Sequence, residues 1–358
     1  LAEKHRMFAP ANQSAFTLTL DGEPSELNVF EFHGAEAISQ PYCFDLELVS
    51  EQPDLDLESL LHRQVFLRFD ELGHGVHGLV YRVAQGDSGR RLTRYQIQLV
   101  PQLAYLQHSS HQRIFQHKTV PQIVALVLAE QGGHADQFEF HLSGDYPERE
   151  YCVQFAESDL AFIQRLCAEE GIHYHFQHSP ERHLLVFGDD QTVFAQPNQP
   201  TPYMPGSGMV ADTPAIKRFA VQLETRTTAV NLRDYDFRKP SLVLESDVAS
   251  EQLPRLEAQG YPGHFCDRSH GKYLAQRGLE RNRSDYRIAR GSGDEPALVS
   301  GHFLTLTGHP RDPWNDLWLV THVTHEGKQP QVLEEAVTEV AGGDFRQGYR
   351  NEFVASPW

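Results

Sequence analysis

The chain has 358 residues, with 31 Lys and Arg against 49 Asp and Glu, for a net charge of −18. That length suits two or three domains around a sizeable core, and that charge argues against general binding to a nucleic-acid backbone, which needs clustered Lys and Arg. The longest strongly apolar run, 123–129, falls far short of the roughly 20 residues that cross a bilayer, so no membrane-spanning segment is expected.

The start carries no basic stretch followed by an apolar one, so no secretory signal peptide is expected. Met7 is a candidate native start, with residues 1–6 ahead of it. The next hundred residues are all-β in pattern. Phe16, Leu18 and Leu20 alternate with Thr17 and Thr19 before an Asp21-Gly22 turn, and Phe44, Leu46 and Leu48 alternate with Asp45 and Glu47. Val65, Leu67 and Phe69 form a further run, and strands over 79–83 and 95–100 follow. Short strands at this spacing predict a barrel or sandwich, interrupted by one short helix at 57–62.

The middle is α/β in pattern. Thr119 caps a helix whose Val120, Ile123, Val124, Val127 and Leu128 make one apolar face, with Gly132-Gly133 as its stop. Strands are predicted at 138–142 and 151–155. Ser158 is then a good N-cap, Asp159 adds charge where the helix dipole favours it, and Phe162, Ile163, Leu166 and Cys167 share one face. Arg165, Glu169 and Glu170 fall largely off that face, and Gly171 ends the helix. Ile172, Tyr174 and Phe176 alternate with His173 and His175 in a half-buried strand, whose expected partner is 184–187.

The segment 196–208 is dense in Pro and Gly and predicts a linker. Beyond it, strands are expected at 219–224, 230–237, 302–307 and 317–323, with an Arg-rich helix at 272–283. The tail 342–358 shows no clear period and is expected as a connector.

The chain holds 20 histidines, so metal chemistry has to be weighed. His173, His175, His178 and His183 crowd one hairpin, but no Cys or acid at ligand spacing completes a zinc site; surface or interface histidines are expected. His264, Cys266, Asp267 and His270 form a second cluster beside a Tyr261-Pro262-Gly263 turn. His322, His325 and Glu326 lack the H-E-x-x-H order. No phosphate-binding loop, nucleophile elbow or dinucleotide fingerprint occurs. Glu169-Glu170 and Asp189-Asp190 are adjacent in sequence, so their carboxylates diverge, which predicts a solvated helix end and a turn. Arg277, Arg281, Arg283, Arg287 and Arg290 make a basic stripe, expected as a solvated helix or an ion-paired subunit contact. Cys43, Cys152, Cys167 and Cys266 are scattered and predict reduced, mostly buried thiols of a cytoplasmic protein.

The stretch Tyr151, Cys152, Val153, Gln154, then Glu157, Ser158, Asp159, Phe162, Arg165, Leu166, Glu169, Glu170, Gly171 and Ile172 resembles the signature of VgrG spike proteins of type VI secretion and of phage baseplate hubs. Arg113-Ile114-Phe115, Asp234-Tyr235-Asp236-Phe237 followed by Pro240, His309 and Pro310 with Asn315, and His322 with His325 extend the resemblance over nearly the whole chain. It implies a mainly β protein with α/β segments, built on two related β-barrel domains. The expected division is 1–110 first barrel, 111–210 α/β segment, 211–345 second β-rich region interleaved with the others, and 346–358 connector. It further implies a homotrimer presenting a pseudo-sixfold ring to the hexameric Hcp tube. A PAAR tip protein and effectors would attach through an OB-fold and β-helix spike C-terminal to Trp358. It implies no enzyme activity, no catalytic residue, no cofactor and no metal, and export by the type VI apparatus after cytoplasmic assembly. Weak trimerisation of this stretch alone is expected. Two alternatives stand beside it: the hub of a phage or other contractile particle, and a metal-dependent hydrolase built on a histidine cluster.

Overall fold

Alternation of inward apolar and outward polar side chains builds most of this chain into strands. The computed structural model describes residues 16–130, 137–197, 199–206, 213–333, 345 and 347–358. Among them one thirteen-stranded sheet dominates. Its spatial order is Ile216–Leu223, Arg287–Gly293, Gly348–Pro357, Leu317–Lys328, Asn28–Ala37, Gln40–Ser50, Thr93–Val100, Gly75–Ser88, Gln64–Arg68, Thr17–Leu20 and Glu23–Pro24, with His302–Thr307 and Thr201–Pro202 off this path.

The 12-residue strand Leu317–Lys328 joins the two halves of this sheet. Its first residues, 317–320, pair with His302–Thr305, and its later residues, 322–328, pair with Glu31–Ala37. Gly348–Pro357 runs antiparallel along the other side of the same strand. Its start and its end also face different cores. Phe16, Phe32, Phe44 and Tyr95 lie in the larger core, while Phe219, Leu304, Trp318 and Phe353 lie in the smaller.

Close approach fixes one glycine in this arrangement. A Cβ on Gly34 would lie 2.0 Å from Phe44 Cδ1. The Phe44 ring is itself enclosed by Phe69 at 6.1 Å and His325 at 5.4 Å between centroids. Gly34→Ala is therefore expected to destabilise the protein by about 1–3 kcal/mol through overpacking. Urea unfolding measures it, and a loss below about 0.5 kcal/mol would show that Phe44 moves aside freely.

Two excursions leave the large sheet. The first follows Thr93–Val100 and carries helices Val120–Glu130 and Asp159–Glu170, with the sheet His173–His178, His183–Gly188 and Phe138–His141. Its apolar faces merge with the larger core through Ile123, Val127, Phe162, Ile163 and Leu166. The second lies between the paired strands Ile216–Leu223 and Arg287–Gly293. It holds the sheet Leu244–Ala249, Ala229–Asp234 and Glu257–Gly260, covered by helix Arg268–Arg283 through Val230, Ala275 and Leu279.

Several expectations from the sequence change. The tail is no connector, because Gly348–Pro357 is a strand in the middle of the sheet, with Asn351, Phe353 and Ala355 buried between exposed or half-buried neighbours. A small and a polar residue at inward positions hid that alternation. Arg287 and Arg290 lie on a strand, away from the helix that carries Arg277, Arg281 and Arg283. The strand expected at 230–237 ends at Asp234. Within the expected linker, Thr201–Pro202 pairs with Leu306–Thr307. The Gly132-Gly133 helix stop lies outside the described residues.

Candidate functional site

The signature stretch forms one interlocked unit. Ser158 has extended backbone and accepts a hydrogen bond from the Ala161 amide at 3.2 Å, and Gly171 closes the helix at φ 72°. The strand Cys152–Gln154 pairs antiparallel with Arg113–Phe115, which turns Cys152, Gln154 and Phe115 inward. Phe115 stacks on Phe162 at 5.7 Å. Tyr151, Val153 and Phe155 face outward.

Asp159 does more than complement a helix dipole. Its side chain is fully buried and receives Gln154 Nε2 at 2.7 Å and Arg113 Nη2 at 2.8 Å, with His111 Nδ1 at 3.0 Å. Burial on its own would raise this carboxyl, but the Gln154 and His111 hydrogen bonds and the Arg113 charge outweigh it and hold it below the usual carboxylate value. The Asp159 amide also donates to Ser109 O at 2.8 Å, which ties the helix start to the turn after Thr93–Val100.

The far end of the helix is equally held. Glu169 and Glu170 are not a solvated end. Arg149 bridges both, with Nη1 2.8 Å from Glu169 and Nη2 2.6 Å from Glu170, and Glu170 is buried. Tyr273 donates to the Glu170 carbonyl at 3.0 Å, and His270 Nε2 lies 3.6 Å from the Glu170 carboxylate, so helix Arg268–Arg283 is fastened here. Arg165 lies on the surface side, linking Glu157 at 2.7 Å and Glu169 at 3.0 Å. Exposed pairs of that kind contribute little, about 0.2–1 kcal/mol each. Asp189 likewise is a held turn, receiving the Gly144 amide at 2.7 Å and the Tyr146 hydroxyl at 2.9 Å.

The other motif residues sit elsewhere. His309 and Asn315 clasp a turn, the His309 amide donating to Asn315 Oδ1 at 2.7 Å and Asn315 Nδ2 donating back to the His309 carbonyl at 2.9 Å; Pro310 lies inside that turn. Asp236 accepts from the Arg238 amide in an exposed turn. His325 is buried in the large sheet, with Nε2 3.0 Å from Glu36 and Nδ1 2.6 Å from Tyr349 Oη, while His322 is half-buried three residues earlier. The motif thus divides among separate structural joints and converges on no pocket. Sequence reasoning missed His111, Arg149, Glu36 and Tyr349, because their partners are 20 to 289 positions away.

The histidine hairpin is not a surface feature. His175 is fully buried and its pKa is pushed down to about 3 by burial, while His178 and His183 pack against Tyr42. Among the described residues, no group of three His, Cys, Asp or Glu side chains is disposed to hold a metal ion. Cys152 and Cys167 are buried, Cys43 is half-buried and Cys266 is exposed, all as free thiols.

Residues 35–331 match the phage tail baseplate hub (GPD) family. The type VI secretion system spike protein VgrG4b of Pseudomonas aeruginosa is 60% identical over 361 aligned residues, covering 98% of this chain and 44% of that protein. Among solved structures, the Escherichia coli c3393 protein, a type VI secretion component described as similar to the T4 bacteriophage tail proteins gp27 and gp5, aligns with a TM-score of 0.72 at 22% identity, over 95% of this chain and 76% of that one. The 43 kDa tail protein of prophage MuSo2 from Shewanella oneidensis shares the fold with a TM-score of 0.63 at 11% identity, over 96% and 98% of the two chains. The chain spans less than half the length of the curated relatives it matches. It belongs to the phage tail baseplate hub family and, within that family, corresponds to the hub region of the VgrG spike proteins of type VI secretion.

Proposed function

We propose that this region is the rigid base of a type VI spike, three copies of which form a pseudo-sixfold ring that docks on the hexameric Hcp tube. In the longer protein, contraction would then drive spike, tip protein and attached effectors out of the cell. The observation that carries this reading is the 60% identity to a VgrG spike protein across 98% of the chain. A phage origin has weaker support, since the prophage tail protein shares 11% identity.

The architecture suits that task. A ring of three that matches a ring of six needs two comparable surfaces per subunit, and the large sheet is divided between two apolar cores joined by one long strand. Force entering one half would pass along continuous backbone into the other. The motif residues lie at joints between elements, as a structural role requires.

A fusion that forces this chain into a trimer tests the reading. Mixed with purified Hcp hexamers and followed by sedimentation, it is expected to give a complex of three chains to six Hcp subunits. The unfused chain is expected to bind at least tenfold more weakly, because docking then includes assembly. A forced trimer that shows no binding at micromolar Hcp would refute the docking role.

A further inference from the structure

We propose that His77, His178 and His183 form an acid-released latch between the first half of the large sheet and the hairpin made by His173–His178 and His183–Gly188. The hydrogen bonds around the three rings fix their tautomers. His183 Nε2 accepts the backbone N–H of Gln102 at 3.2 Å, so that nitrogen carries no proton. The proton of neutral His183 is therefore on Nδ1, which faces His77 Nδ1 at 3.0 Å and donates to it. His77 Nδ1 is then an acceptor. His178 Nδ1 accepts the backbone N–H of His77 at 3.3 Å. Each of the three rings has its lone pair committed to an N–H, so a further proton on any ring sets two N–H groups against each other.

The three rings come from two bodies. His77 lies on Gly75–Ser88, in the large sheet, and Gln102 follows the sheet strand Thr93–Val100. His178 and His183 are directly paired at the tip of the hairpin. Adding positive charge here would push the tip off the sheet. The hairpin's base has a separate tether, since the Ser39 amide donates to the Tyr174 carbonyl at 2.7 Å. Acid should therefore free the tip before the base.

Other groups around the latch do not neutralise an added proton. Tyr42, on Gln40–Ser50, packs its ring on His178 and His183 and donates its hydroxyl to the His77 carbonyl. Glu36 faces from Asn28–Ala37 and favours the charged form of His178, but as a lesser influence than burial, and its carboxylate is occupied by His325 and by the Ser300 amide. His302 and His325, on their own strands, add to the unfavourable field at His178, and exposed Glu181 in the hairpin turn favours the charged form of His77 only as a lesser influence than burial. Burial pushes His77 and His178 down from 6.5 to about 4, and His183 to about 3, by excluding the charged form from water. The unfolded chain protonates these rings near 6.5, so it binds more protons than the fold between about 6.5 and about 4. Stability contributed by the latch falls as pH falls through that window.

Histidine-selective 15N labelling of the unaltered chain tests the tautomers directly. At pH 6 the expected spectrum has Nε2 bare in His183 and Nδ1 bare in His77 and His178. Hydrogen exchange between pH 7 and pH 4.5, corrected for the intrinsic pH effect, is expected to show the amides of His77, Gln102, His178 and His183 losing protection before strands Gln40–Ser50 and Thr93–Val100. In His183→Gln, which cannot take up a proton, the dependence of unfolding free energy on pH should lessen by about one proton per molecule. An imidazolium at pH 6, a tip that stays protected until the whole chain unfolds, or an unchanged slope in the variant would each overturn the latch. If the variant does not fold, the two measurements on the unaltered chain still decide.

Discussion

Glu36→Ala is expected to destabilise the protein by about 3–5 kcal/mol, because two buried donors, His325 Nε2 and the Ser300 amide, lose their acceptor at about 1–3 kcal/mol each. Glu36 is 5% exposed, and its carboxylate holds His325 Nε2 at 3.0 Å and the Ser300 amide at 3.2 Å. His325 is held in turn by Tyr349 Oη at 2.6 Å. One carboxylate thus connects strands Asn28–Ala37, Leu317–Lys328 and Gly348–Pro357 and the turn before His302–Thr307. Burial alone would raise the Glu36 carboxyl, but His325 brings it below its ordinary 4.5. A depressed carboxyl stabilises the fold above its unfolded value, and that contribution is lost as pH falls through the folded one. Urea unfolding at pH 7 measures the loss. A change under 1 kcal/mol would show that water or a rearranged His325 replaces the carboxylate.

Asp159→Ala should have an effect of the same size, about 3–5 kcal/mol, by a related route. It leaves Gln154 Nε2 and a mostly buried Arg113 facing an empty site. Asp159→Asn keeps the shape and one acceptor, so a smaller loss of about 1–3 kcal/mol is expected. A double-mutant cycle with Arg113→Met separates the pair from its surroundings, with a coupling energy of about 1.5–3 kcal/mol expected. Coupling near zero would mean that Gln154 and His111 alone hold the helix start.

Local signals were legible wherever one element contains both the cause and the effect. Ser158 and Gly171 cap their helix as their chemistry requires, and the alternation of Leu18, Leu46 and Leu67 placed all three in the core. Long-range pairing was not legible. Nothing in the order of residues announces that Glu36 meets His325 or that His77 meets His183, since the sheet brings them together only after folding. Burial of Glu170 was hidden for the same reason, because its partner Arg149 lies 21 positions earlier, ahead of the strand Cys152–Gln154. The tail strand was missed because Asn351 occupies an inward position, where it donates to the Glu295 carbonyl at 2.8 Å rather than filling apolar space. The family resemblance supplied the β-rich hub fold that periodicity could not.

Both halves of this hub are expected to act as one rigid unit through Leu317–Lys328 and the contacts that cross it. Differential scanning calorimetry of the chain, with Glu36→Ala alongside, tests it most directly. One cooperative transition, with calorimetric and van't Hoff enthalpies equal and the whole transition shifted down in the variant, is the expected result. Two separable transitions in the unaltered chain, or a variant in which only one half melts earlier, would contradict it.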